Sequence, residues 1–228
     1  ILVLSLSLNT AINYFISNNA TTKSINSTLK SLAESNTATI EQWVASRISQ
    51  ISSLTPYVNN EDPIPLLKQV AASGNFLNVD IAYPDKRDIS SDPSGIPEGY
   101  DPTSRQWYID AVNARAAIIT DPYQDISSRR LTITIAAPSF TNNQVNAVIE
   151  GDIAMDEIIK NVRAIHPSTR SFGMLIDAQG QIIAHPNDDL TMKALSSISP
   201  KLSLPTLLTS TTPIEATVSG EDTYLQAQ

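Results

Sequence analysis

Between Tyr14 and Leu54 the chain contains no Gly or Pro, and this long uninterrupted segment limits what the chain can fold into. Its apolar residues recur mainly at steps of three and four, for example at Ile48 and Ile51, which is the helical period. A helix of this length would be about 60 Å long, roughly twice the diameter of a small domain. We therefore expect one long helix that ends at Pro56 and that either runs beside more than one folded unit or serves as a dimer stalk.

Composition favours a folded protein and disfavours several classes of function. The chain of 228 residues is 41% apolar and 17% charged, which is ordinary for a globular protein of one large or two small domains. Its formal charge of -8 and the absence of any Lys/Arg run disfavour a nucleic-acid surface. The absence of cysteine excludes disulfides, thiolate metal sites and cysteine nucleophiles, so the function must rest on other side chains.

The first residues, Ile1 to Leu8, form an apolar run that is far shorter than the ~20 residues that a membrane-spanning helix needs. The run fits the end of a spanning helix that begins before Ile1, and it also fits the first turns of a soluble helix. We favour the first interpretation. A signal peptide is disfavoured, because no basic residues precede the run and no cleavage pattern follows it.

Beyond Pro56 the pattern changes to short strands, turns and short helices. Alternating β-branched residues and turn chemistry predict two hairpins, the second one closed by Thr141–Gln144. The segment from Ser91 to Pro102 is rich in proline and is predicted to be a loop. The predicted strands are Leu77–Tyr83, Asp88–Ser90, Leu131–Pro138 and Val145–Asp152, and the predicted helices are Pro65–Ala72 and Met155–Ile165.

A weaker copy of the same plan follows. Phe172–Ile176 and Gln181–Ala184 predict a third hairpin around a tight turn. Beyond it lie a predicted helix near Leu190–Ser197, a polar loop, a strand at Ile214–Val218 and a turn at Ser219–Asp222 into a last strand, Thr223–Gln228. The pattern predicts two hairpin-plus-helix modules on one long helix.

A set of charged and aromatic side chains is spread over the first of these modules. An arginine guanidinium binds a carboxylate through two parallel hydrogen bonds. Aspartates and tyrosine hydroxyls accept the hydrogen bonds that an ammonium group donates. The set therefore suits a small molecule that carries both groups. It consists of Tyr100, Arg105, Trp107, Tyr108, Tyr123, Asp125 and Asp152.

Each of these residues has an alternative role. Alone, Arg105 would be a surface ion-pair partner, and Trp107 and Tyr108 would be packing residues. Asp125 would be a turn residue, and Asp152 would cap the helix that follows it. The two aspartates could also be a general acid and base, as in glycoside hydrolysis. However, the chain contains no hydrolase elbow, phosphate loop or dinucleotide motif.

No metal and no cofactor are expected. The two histidines, His166 and His185, each precede a proline, lie far apart and have no neighbouring cluster of possible ligands.

Over nearly its whole length the chain resembles the double Cache sensor domains of bacterial chemoreceptors. The segment Phe172–Pro186 is similar to the opening hairpin of the membrane-proximal module in that family. The resemblance implies an α/β (α+β) fold with a long N-terminal stalk helix and two PAS-like modules with antiparallel sheets. It implies the stalk in residues 1–58, a membrane-distal ligand-binding module in 59–162 and a membrane-proximal module in 163–228, which would stop within a hairpin.

All seven residues of the set match the amino-acid-binding subset of this family in type and spacing. The resemblance implies that Arg105, with Tyr100 and Trp107, holds the carboxylate of the ligand. It implies further that the ammonium is surrounded by Tyr108, Tyr123, Asp125 and Asp152.

The same resemblance implies a periplasmic sensor domain of a methyl-accepting chemotaxis protein anchored in the inner membrane. The expected ligands are L-amino acids or close analogues such as taurine. The expected partner is a second copy joined through the N-terminal helix, and neither catalysis nor nucleic-acid binding is expected. One alternative is the sensor domain of a histidine kinase or cyclic-dinucleotide enzyme that binds a small amine or organic acid. Another is a secreted hydrolase that uses Asp125 and Asp152.

Overall fold

The structure is a computed structural model that describes residues 2–125, 130–166, 171–200, 202–210, 213–218, 221–225 and 227. Its helices are α1 (Leu2–Ser52), α2 (Ile64–Gly74), α3 (Gln106–Ala114), α4 (Asp156–Arg163) and α5 (Leu204–Thr209). Its strands are β1 (Asn78–Ala82), β2 (Asp88–Ser90), β3 (Ile118–Ile119), β4 (Tyr123–Gln124), β5 (Leu131–Thr141), β6 (Gln144–Ala154), β7 (Leu175–Ile176), β8 (Ile182–Ala184), β9 (Ile214–Val218) and β10 (Glu221–Leu225).

The chain divides into two compact units. One unit is Glu41–Met192 and holds the largest sheet. The other combines Ile1–Ile40 with Lys193–Gln228 and holds α5 and the β9–β10 hairpin. The division into a stalk, a distal module and a proximal module after residues 58 and 162 stays a prediction.

The long helix is confirmed, although it begins at Leu2 rather than at Tyr14. Several of its polar side chains donate hydrogen bonds to backbone carbonyls one turn earlier, for example the Thr28 hydroxyl to the Ser24 carbonyl. Such bonds destabilise a helix only slightly. The helix ends at Ser52, and a short 3-10 turn that contains Pro56 follows it. Among the helices of the described residues, none is long and apolar enough to cross a membrane.

The largest sheet is antiparallel, with the strand order β2-β1-β6-β5-β3, and β4 also pairs with β5. The predicted β5–β6 hairpin is confirmed and is longer than expected. Asn142 and Asn143 close it with φ angles of 50° and 67°. Two left-handed residues give a turn whose twist matches that of the paired strands, and asparagine tolerates this conformation well.

One face of this sheet is apolar. Side chains alternate along a strand, so Ile81 of β1 and Ile149 of β6, which are paired and buried, point to the same face. Gly151 lies on this face as well, and Ile51 from the end of α1 and Phe76 pack directly over it. Each large side chain that is fully buried here contributes about 1.5–3 kcal/mol to folding. This core fixes the position of β6.

The opposite face is divided into an apolar and a polar part. Helix α3 covers the apolar part with a buried cluster of Trp107, Tyr108, Ala111, Ala82, Ala136 and Val148. The remaining part is the polar face, which we define by the side chains of Asn78, Asp80, Thr134, Glu150 and Asp152. The sheet therefore separates a packed core from a polar surface that carries acidic residues.

Helix α3 lies in a segment, residues 103–130, for which no helix or strand was predicted from the sequence. Asp101 accepts hydrogen bonds from the backbone and side chain of Thr103, which caps the 3-10 turn Pro102–Ser104 before the helix. Arg105 is the N-cap residue of α3, and Arg115 ends it in the left-handed conformation.

The predicted helix at Leu190–Ser197 is wrong. The structure has two 3-10 turns, Asp188–Leu190 and Leu195–Ser197, with Met192 at a φ of 61° between them. The Met192 amide donates to the carbonyl of Ile182 in β8, so the chain joins the strand there instead of continuing a helix. Helix α5, capped by the side chain of Ser203, lies in a segment that was predicted to be a loop. Of the turn predicted at Ser219–Asp222, Ser219 and Gly220 lie outside the described residues.

Candidate ligand-binding site on the polar face

Strand register brings the polar face together from three strands. Asp152 of β6 pairs with Asn78 of β1 on one side and with Thr134 of β5 on the other. Two residues before Asp152 on β6, Glu150 pairs with Asp80 of β1. Residues two apart on a strand share a face, so these side chains project to the same side of the sheet.

Asp152 is the centre of a hydrogen-bond network. The Thr134 hydroxyl donates to Asp152 Oδ1 at 2.6 Å, and the Tyr123 hydroxyl donates to the same oxygen at 3.3 Å. The Tyr123 and Thr134 hydroxyls are themselves 2.8 Å apart. Burial raises the pKa of Asp152, while the hydrogen bond from Thr134 works against that shift. Burial also raises the pKa of Tyr123, so its hydroxyl stays protonated.

Asp125 lies near this network. Its negative charge raises the pKa of Asp152, which shows that the two carboxylates are within electrostatic reach of each other. The Asp125 amide donates to the Arg130 carbonyl at 3.0 Å, which fixes the chain just after β4. Two neighbouring carboxylates repel each other unless a cation or a proton lies between them.

Tyr100 and Arg105 form the other part of the predicted set. Both are partly buried, and Arg105 lies at the beginning of α3. Among the described residues, no carboxylate forms an ion pair with the Arg105 guanidinium. Burial raises the pKa of Tyr100, the charges of Glu150 and Asp88 raise it further, and Arg105 lowers it. Tyr100 is therefore within electrostatic reach of both Arg105 and the acidic residues.

Trp107 and Tyr108 lie in the apolar cluster under α3. Only 6% and 8% of their surfaces are exposed, and their rings meet edge to face with centroids 5.9 Å apart. Burial raises the pKa of Tyr108. The structure thus gives both residues a packing role beside the polar face, and their direct contact with a ligand stays a prediction.

Three acidic residues of the same region were missed by sequence reasoning: Asp80, Asp88 and Glu150. Burial raises the pKa of Asp80 to about 6 and that of Asp88 to about 7, and it raises the pKa of Glu150 well above its usual range. A signal was present, since Glu150 and Asp152 occupy alternate positions of a predicted strand. The pairing of β1 with β6, which brings Asp80 to the site, could not be read from local pattern.

The described residues contain no group of three or more His, Cys, Asp or Glu side chains arranged to hold a metal ion. His185 is buried, its Nδ1 accepts from the Asn187 amide, and burial lowers its pKa. It therefore serves the packing around β8.

Comparison with known proteins shows the family of the chain. A family model described as a Cache domain matches residues 16–227. The chain belongs to the Cache domain family. The chemotaxis protein McpG of Pseudomonas putida is 30% identical to this Cache domain over 204 residues, which are 88% of this chain and 32% of the relative. PscA of Pseudomonas syringae, also a methyl-accepting chemotaxis protein, is 29% identical over 95% of this chain and 35% of its own length. This Cache domain thus spans about a third of the length of these relatives.

Solved structures show the same fold. The ligand-binding domain of the Pseudomonas fluorescens chemoreceptor CtaA, in complex with L-isoleucine, matches with a TM-score of 0.76 and 25% identity, over 91% of this chain and 87% of that one. The ligand-binding domain of the Pseudomonas aeruginosa amino-acid chemoreceptor PctB, in complex with L-glutamine, matches with a TM-score of 0.71 and 26% identity, over 85% of this chain and 80% of that one.

Proposed function

We propose that this Cache domain is the extracytoplasmic ligand-binding part of a chemotaxis receptor and that it binds L-α-amino acids or close analogues such as taurine. The observation that carries the proposal is the partly buried Asp152 carboxylate, held by Tyr123 and Thr134 in the same region as an Arg105 without a carboxylate partner among the described residues. Similar domains of CtaA and PctB were solved with amino acids bound, which supports this choice of ligand.

The ammonium group of the ligand would bind between Asp152, Asp125 and the Tyr123 hydroxyl. An ammonium carries three donors and no acceptor, so it suits a site made of acceptors. Its positive charge would also lower the repulsion between the two carboxylates. Because Asp152 is partly buried, a hydrogen bond between these charges is stronger than it would be in solution.

The carboxylate group would bind to Arg105, with Tyr100 as a second donor. The guanidinium offers two parallel donors that match the geometry of a carboxylate. Because these contacts use only the groups that all α-amino acids share, the side chain of the ligand is selected elsewhere.

The receptor context is part of the proposal. We assign the chain to a methyl-accepting chemotaxis protein, not to a histidine kinase or cyclic-dinucleotide enzyme, because its relatives are chemotaxis proteins. Residues 59–162 would be the membrane-distal binding module and residues 163–228 the membrane-proximal one. The domain would lie in the periplasm, anchored in the inner membrane, and act as a homodimer joined through α1. Ligand binding would signal by favouring one of two arrangements rather than by catalysis.

Isothermal titration calorimetry with L-alanine, L-serine, L-arginine and taurine tests the proposal. Arg105→Ala and Asp152→Asn should each weaken binding of the best ligand by about 2 kcal/mol or more, about 30-fold, because each leaves a charged ligand group without its partner. Arg87→Ala and Asp62→Asn are matched controls at exposed positions and should keep the affinity of the wild type. Absence of binding by every ligand, or unchanged affinity in both site variants, would contradict the proposal.

A further inference from the structure

A second group of carboxylates lies beside Asp152, and the binding described above assigns no group of the ligand to it. We call Asp80, Asp88 and Glu150 the acidic cluster. Asp80 pairs directly with Glu150 across β1 and β6, which places their β-carbons roughly 5 Å apart. Ser90 of β2 pairs with Asp80, and Asp88 lies two residues before Ser90 on the same strand. Asp88 is therefore a diagonal neighbour of Asp80. The cluster therefore forms a continuous extension of the polar face.

Two members of the cluster are buried and the third is partly buried, and the cluster is only partly hydrogen-bonded. Glu150 and Asp80 expose only 3% and 5% of their surfaces. Asp80 accepts from the Ser90 hydroxyl at 2.5 Å and from the Asn78 amide at 3.1 Å, and Asn78 also reaches Glu150 Oε1 at 3.4 Å. Glu150 Oε2 and both carboxylate oxygens of Asp88 receive no hydrogen bond from an amide, hydroxyl or cation of the described residues.

The cluster also lacks a counter-charge. Within the described part of the chain, no lysine or arginine forms an ion pair with any of its three carboxylates. A buried carboxylate without a cation is costly, and it lowers that cost by binding a proton. Asp80 and Glu150 are close enough to share one. Such a cluster lowers stability, and buried charged groups of this kind are concentrated at functional sites.

We infer that the acidic cluster binds the second positive charge of a cationic amino acid, such as L-lysine, L-ornithine or L-arginine. The inference rests on the proposed function, because the α-groups of the ligand would be held by Arg105 and by Asp152 with its neighbours. Glu150 lies two residues from Asp152 on β6, which is a step of about 6.7 Å. A flexible chain of three or four methylene groups can cover a step of this size.

Charge favours this ligand over its neutral relatives. A zwitterionic amino acid adds no net charge to a region in which the described residues include Asp125, Asp152 and the acidic cluster. Arg105 is the cation that we assign to the ligand carboxylate. A cationic amino acid adds one positive charge, and its donors can reach the Glu150 and Asp88 oxygens that lack hydrogen bonds. A simple diamine would leave Arg105 without a carboxylate, so it fits less well.

Calorimetric titration with matched ligand pairs tests the inference. L-norleucine has nearly the shape of L-lysine but no side-chain ammonium, and L-citrulline is the neutral counterpart of L-arginine. In the wild-type domain we expect at least one cationic member to bind about tenfold more tightly than its neutral counterpart, or more. Glu150→Gln should weaken binding of the cationic ligand much more than binding of its neutral counterpart, and so remove most of this preference. Glu61→Gln, at an exposed position, should leave both affinities unchanged.

The outcomes separate the two proposals. Equal affinity for cationic and neutral ligands would overturn this inference and leave amino-acid binding intact. Failure of all α-amino acids to bind would overturn both. An equal loss of affinity for both members of a pair in Glu150→Gln would show that Glu150 only supports the fold, and would also overturn the inference. If that variant does not fold, Asp88→Asn gives the same test, because Asp88 lies at the edge strand β2 and is only partly buried.

Discussion

Single residues of the polar face show a conflict between stability and charge. Asp80, Asp88 and Glu150 are held in surroundings where the charged form of a carboxylate is disfavoured, and burial is the largest cause of the raised pKa in each. In the unfolded chain the same groups are in water and ionise near their usual pKa. The folded protein therefore keeps protons that the unfolded chain has already lost.

Asp88→Asn should make the stability of the domain less sensitive to pH between about 4 and about 7. The pKa of Asp88 is raised from 3.8 to about 7, so the folded wild type binds more protons than the unfolded chain within this range. Its free energy of unfolding therefore falls as the pH rises through the range. The variant lacks this group and should gain stability relative to the wild type, on the order of 1–3 kcal/mol between pH 4.5 and pH 7.5. Urea unfolding at several pH values measures this.

The comparison with the variant removes from the result those titrating groups that do not interact with Asp88. Burial lowers the pKa of His185 in the folded protein, so the contribution of this residue to the free energy of unfolding rises with pH, opposite to that of Asp88. The contribution is fully present above the unfolded pKa of 6.5 and is lost as the pH falls below it. This contribution is the same in both proteins and cancels. The carboxylates with a lowered pKa, such as Asp101, lose their effect only below about 4. A constant difference between variant and wild type at all pH values would contradict the prediction.

At the scale of elements, β6 joins the core to the candidate site. Its alternation places Ile149 and Gly151 on the apolar face and Glu150 and Asp152 on the polar face. A shift of the register by one residue would exchange these two sets. The packing of Ile51 over Gly151 therefore helps to hold the position of Asp152, although it lies on the other side of the sheet.

Gly151→Ala should destabilise the domain by about 1–3 kcal/mol. The new methyl group would lie 2.6 Å from Ile51 Cδ1 and 2.8 Å from Phe76 Cδ1, and both side chains are buried with little room to move. Chemical unfolding of the variant measures the loss. Adding Phe76→Leu should give a double variant whose loss of stability is smaller than the sum of the losses of the two single variants, because it removes ring atoms from the clash. Strict additivity would show that the clash is relieved in another way.

Local sequence pattern was sufficient for elements whose signals are local. The β5–β6 hairpin was predicted because alternating residues flank a turn at Asn142 and Asn143 that asparagine favours. Helix α3 was missed because its apolar face is short and follows a proline-rich loop. The part that Asp80 plays in the site depends on the pairing of β1 with β6, more than sixty residues apart in the chain, and this pairing follows from packing of the whole sheet.

At the scale of the whole molecule, the chain forms two compact units, and the candidate site lies entirely within Glu41–Met192. Its residues come from α3, from β1, β2, β4, β5 and β6, and from the loop that carries Tyr100. A ligand that joins these elements stabilises them together, because it binds the folded unit and not the unfolded one. At a concentration of 100 times its dissociation constant, it adds about 2.7 kcal/mol to the free energy of unfolding.

Hydrogen exchange measured by mass spectrometry should show where this stabilisation acts. With a saturating amino acid, the amides of β5 and β6 and of the first turn of α3 should exchange more slowly, because opening these elements would require the ligand to leave. The amides of β9 and β10, which belong to the other unit, should change less. Asp152→Asn should strongly reduce the difference at the same ligand concentration, and the exposed substitution Asp62→Asn should keep it. Stronger protection in residues 193–228 than in β5 and β6 would show that the ligand binds outside the polar face.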